Sequence, residues 1–130
     1  MYRFVEHTAE LELELEAPTE AALFEEAFRV LAELTSGDAQ GAAVHHELEL
    51  EGEDHALLLV DWLHELLFLA EVEELVPETV VSLELAGGGL RATVGGRRGH
   101  PRHLVKAVTL TGLQLRLEGG IWHARLVLDV

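Results

Sequence analysis

Residues 57–71, LLLVDWLHELLFLAE, limit what this chain can become more than any other stretch does. Leu57, Leu58, Leu59, Val60, Trp62, Leu63, Leu66, Leu67, Phe68, Leu69 and Ala70 are apolar round most of a helical circumference, and Asp61, His64 and Glu65 share the one polar stripe at i, i+3 and i+4. Gly52-Glu53-Asp54 precedes it, with Asp54 as the expected N-cap. The run is too short and too interrupted to span a bilayer, so it reads as a buried core helix. Each large side chain that it buries fully is worth about 1.5–3 kcal/mol. Such a helix needs cover on two sides, and a sheet is the expected cover.

The flanking segments supply that sheet. Residues 2–7, YRFVEH, read as a strand, and in ELELELE at 10–16 Leu11, Leu13 and Leu15 alternate with outward Glu10, Glu12, Glu14 and Glu16. Pro18-Thr19-Glu20 opens a helix with Thr19 as N-cap; Leu23, Phe24, Ala27, Phe28, Leu31 and Leu34 give it an inner face, and Ser36-Gly37-Asp38 closes it. Residues 44–50 alternate again. After Pro77 the pattern is strands only, roughly 79–85, 90–94, 104–117 and 121–130, with the turn signals Gly87-Gly88-Gly89, Gly95-Gly96 and Gly119-Gly120 between them. The expected architecture is one α+β domain spanning 1–130, with two main helices packed on a largely antiparallel sheet, whole or split.

Charge and composition bound the function. Residues 1–89 hold 22 acids against Arg3 and Arg29, a balance of −20, whereas residues 90–130 carry +5. A chain this acidic lacks the basic footprint of a nucleic-acid binder. The one basic run, Arg97, Arg98, Arg102 and Lys106 with His100 and His103, reads as a solvated loop neutralising acids of the first half, with a phosphate-binding role as the alternative. With no cysteine, thiolate zinc, disulfide and cysteine-nucleophile chemistry are excluded. Ser36 and Ser82 are the only serines, neither in a nucleophile elbow, and there is no His-Glu-x-x-His motif. His45 and His46 are adjacent, so on a strand they face opposite ways. No basic-then-apolar leader opens the chain, which is expected to be cytoplasmic, without a membrane partner.

Four blocks in order, EHTAELEL, VDWLHELLFLAE, LVKAVTLTGLQL and the final LVLDV, are similar to those of the archease family, small cofactors of RtcB-type RNA ligases. The resemblance covers nearly the whole chain. It implies a strand-helix-strand-strand core with an inserted segment, and a protein that is not itself an enzyme. It further implies help for the ligase in attaching guanylate to its active-site histidine and turning over in tRNA splicing or RNA repair. Contact with GTP and RNA would be indirect, through the ligase. A general chaperone-like module is the alternative, and a small metal-dependent hydrolase built on Glu10 and Asp129 a third class, for which no general base can be named.

The resemblance also implies a site for a divalent cation, Ca²⁺ or Mg²⁺. The family's usual aspartate after His-Thr-Ala is here Glu10, with one methylene, about 1.5 Å, of extra reach. The near-terminal aspartate matches Asp129, the Val130 carboxylate is expected to join it where the chain stops, and Asp38 aligns more loosely. These are hard oxygen ligands of the kind such cations take. From the residues alone, Glu10 is one of four outward glutamates, Asp129 a strand end, and Lys106 a structural ion pair. The resemblance makes Lys106, in the Lys-Ala-Val-Thr motif, and His7 partner-facing. Leu110-Thr111 stand where many relatives have Tyr-His.

Overall fold

The computed structural model describes residues 1–7 and 10–130, and of residues 4–7 the backbone only. The two helices form where the caps are. Thr19 accepts a hydrogen bond from the Ala22 N–H at 3.1 Å and starts α1 (Glu20–Thr35), and Asp54 accepts from Ala56 and Leu57 at 3.0 and 3.3 Å and starts α2 (His55–Val72). Around them the chain runs β1 (Tyr2–His7), β2 (Glu10–Ala17), α1, β3 (Ala43–Glu51), α2, β4 (Leu75–Ala86), β5 (Gly89–Arg98), β6 (Ala107–Glu118) and β7 (Ile121–Asp129).

The sheet is split. One antiparallel sheet has the order β1-β2-β7-β6 and the other β3-β5-β4. The β2-α1-β6-β7 succession is a strand-helix-strand-strand core, and residues 43–98 are inserted between its helix and its second strand, β6. Each helix touches strands of both sheets: α1 lies against β2, β7 and β4, and α2 against β6, β4, β3 and β5. This is the two-sided cover that an apolar helix demands. Leu58, Leu59, Val60, Trp62, Leu63, Leu66, Leu67, Leu69 and Ala70 of α2 are buried, joined by Leu23, Phe24, Phe28 and Leu31 of α1, Leu13 and Leu15 of β2, and Leu126 and Leu128 of β7. Trp62 is the largest fully buried side chain; its indole N–H donates to the Phe24 carbonyl at 2.9 Å, and its ring lies 6.3 Å from that of Phe28. No helix among the described residues is long and apolar enough to cross a membrane.

Three expectations are corrected. Gly95-Gly96 is not a turn but part of β5, because a Cβ on Gly96 would sit 2.2 Å from the Val76 carbonyl of the neighbouring strand. The glycine marks a close backbone approach inside a sheet. As a result Arg97 and Arg98 stand on a strand rather than in a loop, and β4 extends back through Pro77 to Leu75, with an irregular register after Pro77. At the other end of the basic run, β6 starts at Ala107 rather than 104, since its ladder with β7 begins at the Ala107–Asp129 pair. The segment before it is held by single bonds, Arg102 N–H to Thr35 O at 3.1 Å and Lys106 N–H to Asp129 O at 2.7 Å.

Two ionic contacts, one at the start of α2 and one in the middle of α1, make stability depend on pH. His55 joins Glu20 at 2.7 Å through Nδ1 and the Ala86 carbonyl at 2.9 Å through Nε2, tying the start of α2 to the start of α1 and the end of β4. Burial opposes its protonation, but the Glu20 carboxylate and the Ala86 carbonyl outweigh it and raise the pKa above the ordinary 6.5. Its contribution is therefore complete below pH 6.5 and is lost as pH rises through the raised folded value. Burial likewise opposes ionisation of Glu26, yet the N-terminal amine at 2.8 Å and the Arg29 guanidinium pull its pKa below 4.5. That contribution is present above pH 4.5 and disappears as pH falls through the lowered value. Melting temperatures from pH 3 to 9 are expected to show the alkaline loss vanish in His55→Gln and the acidic loss shrink in Glu26→Gln. Unchanged profiles would remove both contacts from the stability account.

Candidate functional site

The outer face of the β1-β2-β7-β6 sheet separates Glu10 from the other outward glutamates. Cross-strand register puts Glu12 opposite Val127, Glu14 opposite Arg125 and Arg3, and Glu16 opposite His123. Each of these three carboxylates has a basic side chain beside it: the Arg125 guanidinium for Glu12, that of Arg3 for Glu14, and the His123 ring at 3.6 Å for Glu16. Glu10 is paired across the ladder with Asp129, another acid. Residues directly opposite in an antiparallel pair hold their Cα atoms about 4.5–5.5 Å apart, and like charges there are destabilising. Among the described residues, neither the Glu10 nor the Asp129 carboxylate has a side-chain partner.

The same cross-strand row continues to His7 on one side and Ala107 on the other. The His7 side chain, and Thr8 and Ala9 of the opening motif, lie outside the described residues. Lys106 is exposed beside buried Val105, and its backbone N–H donates to the Asp129 carbonyl. Among the described residues it makes no ion pair, so a structural salt bridge does not account for it. Val130 packs its side chain against the core, which leaves its main chain next to Asp129. Structure thus gathers Glu10, Asp129, Val130 and Lys106 at one end of the sheet.

Asp38 stands in another setting. It forms an isolated bridge with His100, whose N–H donates to the Asp38 carbonyl at 2.8 Å, and it lines a shallow pocket with Gln40, Gly41, Glu74, Arg98 and His100. Among the described residues no three His, Asp or Glu side chains stand together in an arrangement able to hold a metal ion. A cation at Glu10 and Asp129 would draw its remaining oxygens from the Val130 carboxylate and water, as hard cations readily do. The donor chemistry fits: two carboxylates opposite each other in the ladder, with no cationic side chain paired to either among the described residues. Of the basic run, Arg97 neutralises Glu78 at 3.6 Å, an acid of the first half, whereas Arg98, Arg102 and Lys106 make no ion pair among the described residues.

His64 is a residue whose role sequence reasoning missed. On α2 it was one of a polar trio; in the structure its Nε2 accepts the Val108 N–H at 3.2 Å and clasps the helix to β6. Nothing in helical spacing reveals a bond to a strand 44 residues away.

Over residues 2–130 the chain matches the archease protein family. The chain belongs to the archease family. An archease from Methanosarcina mazei is 32% identical over 99% of this chain and 95% of its own length, and one from Methanopyrus kandleri is 34% identical over 97% and 96%. The solution structure of protein 1598 from Methanobacterium thermoautotrophicum superposes with a TM-score of 0.72 at 28% identity, covering 99% of this chain and 98% of that one. The crystal structure of an archease from Thermotoga maritima, described as a possible chaperone, shares the fold with a TM-score of 0.70 at 21% identity, covering 97% of this chain and 94% of that one.

Proposed function

We propose that this archease is a non-enzymatic activator of an RtcB-type RNA ligase, promoting guanylylation and turnover of the ligase in tRNA splicing or RNA repair. The observation that carries the reading is the Glu10–Asp129 pair, two acids opposite each other across the ladder, which, like Lys106 beside them, have no ion partner among the described residues. Glu10, Asp129 and the Val130 carboxylate would hold a divalent cation; Asp38, beside His100 in its own pocket, would be a ligand only at a separate site. The cation, when bound, cancels the repulsion between the two acids and offers a positive centre to a phosphate or carboxylate of the partner. This chain's own part is to present that centre and the Lys106 ammonium on a rigid sheet end, with His7 in the same cross-strand row. No serine or cysteine of the chain suits covalent chemistry, which supports an accessory rather than a catalytic role.

The expected result is that catalytic amounts of ligase, given GTP, metal and RNA ends, complete many rounds of joining with this protein and stall without it, while the protein alone joins nothing. The second reading is a chaperone-like module, since the Thermotoga maritima archease of the same fold is described as a possible chaperone. It predicts the opposite pattern: suppressed aggregation of unrelated clients and ligase turnover that does not respond.

A further inference from the structure

The polar-stripe side of α2 is not fully polar. Leu57, Asp61, His64, Phe68, Glu71 and Val72 follow one another at helical spacing, so they lie within about a third of the circumference along an 18-residue helix about 27 Å long. All six are exposed, Leu57 by 44%, Phe68 by 51% and Val72 by 59%. Single apolar residues on a surface need no explanation, but three in line on one face form a strip that leaves a phenyl ring half in water. Folding does not require them there. The buried face of the helix already holds nine residues against the core, and His64 pins the edge of the strip to β6.

Charge decides what such a strip accepts. Helix α2 contains no Lys or Arg; Asp61, Glu65 and Glu71 interleave with the apolar residues, and Glu73 and Glu74 follow directly after the helix. A second copy laid on the strip would set these acids against each other within two chains of net charge −15 each. RNA phosphates and anionic lipid are repelled by the same residues. A polypeptide surface with Leu, Ile, Met or Phe at its centre and Lys or Arg around it complements the strip in both respects.

We propose that the exposed face of α2, centred on Phe68 and Val72, is the docking surface for a basic, apolar-centred segment of the partner protein; resting on the activator reading, that partner is the ligase. The test measures ligase binding by interferometry, and RNA-joining turnover, for the wild type and three variants. Phe68→Ser with Val72→Ser removes the apolar centre and should weaken binding at least about tenfold, as loss of a buried anchor does. Asp61→Lys with Glu71→Lys keeps that centre and should lower the on-rate and flatten its salt dependence. Val81→Ser, at an equally exposed apolar residue of β4, 52% accessible, should bind as the wild type does. Melting curves establish that each variant is folded, and the charge-reversal pair carries the test if the serine pair is not. A wild type that binds and activates, beside strip variants that do the same, overturns the docking surface and leaves the activator reading standing. A wild type that neither binds nor activates overturns both. Dimerisation of the wild type at micromolar concentration that Phe68→Ser with Val72→Ser abolishes would assign the strip to a second copy and overturn the proposal.

Discussion

Replacing Trp62 with alanine is expected to remove about 3–5 kcal/mol of stability, the usual cost of emptying an aromatic site in a close-packed core. Trp62 is fully buried, packs near Phe28, and uses its N–H to hold the Phe24 carbonyl of α1, so one side chain joins the two helices that both sheets rest on. A domain of this size has only about 5–15 kcal/mol in total, so the variant would stand near the edge of folding, with a melting point lower by roughly 10–20 °C. Trp62→Phe retains most of the volume and loses the hydrogen bond, and should cost about 1–3 kcal/mol less than the alanine. Urea titration of the three proteins measures this directly. A loss under about 1 kcal/mol for the alanine would mean that α2 is not the shared centre of the core.

The second large effect concerns the facing acids. Asp129→Asn and Glu10→Gln each keep the shape and delete a negative oxygen ligand, and each is expected to reduce calcium or magnesium affinity by roughly 10- to 100-fold or more and to lower ligase activation in step. Glu12→Gln, two residues along β2 and paired with Arg125, is the control for a glutamate with its own protein cation. A short C-terminal extension, which moves the Val130 carboxylate, should behave as the amide variants do while leaving the fold intact. Glu10→Asp should bind at least as well as the wild type if the shorter side chain suits the cation better. Stability gives an independent sign. Without divalent cations the amide variants should be slightly more stable than the wild type, because a like-charge pair has been relieved; with them the order should reverse. Normal cation affinity in all these variants, and no reversal, would dismiss the site.

Helix existence, both N-caps and the alternation of β2 were legible in the sequence, because Thr19, Asp54 and the Leu/Glu alternation act locally. Strand pairing was not legible, and the most informative fact about the site depends on it. In the sequence Glu10 is one of four equivalent outward glutamates; only the strand pairing shows that Glu12 and Glu14 have arginine partners, that Glu16 lies beside His123 and that Glu10 faces Asp129. Gly95-Gly96 misled for a related reason, since a glycine pair marks a turn and a close strand approach alike, and the Val76 carbonyl that decides between them is 20 residues away. Residues 57–71 read as a buried core helix with one polar stripe; Leu57 and Phe68, and Val72 just beyond that stretch, are exposed because the cover comes from particular neighbours and leaves one strip open.

The measurement that tests the central proposal most directly is the transfer of labelled guanylate from GTP to the ligase in a single turnover, with and without this protein, in calcium or magnesium. The account predicts rapid labelling with the wild type, slow labelling with Asp129→Asn, and no label on the archease itself. Labelling of the ligase at the same rate with wild type, with Asp129→Asn and with no added protein would contradict it.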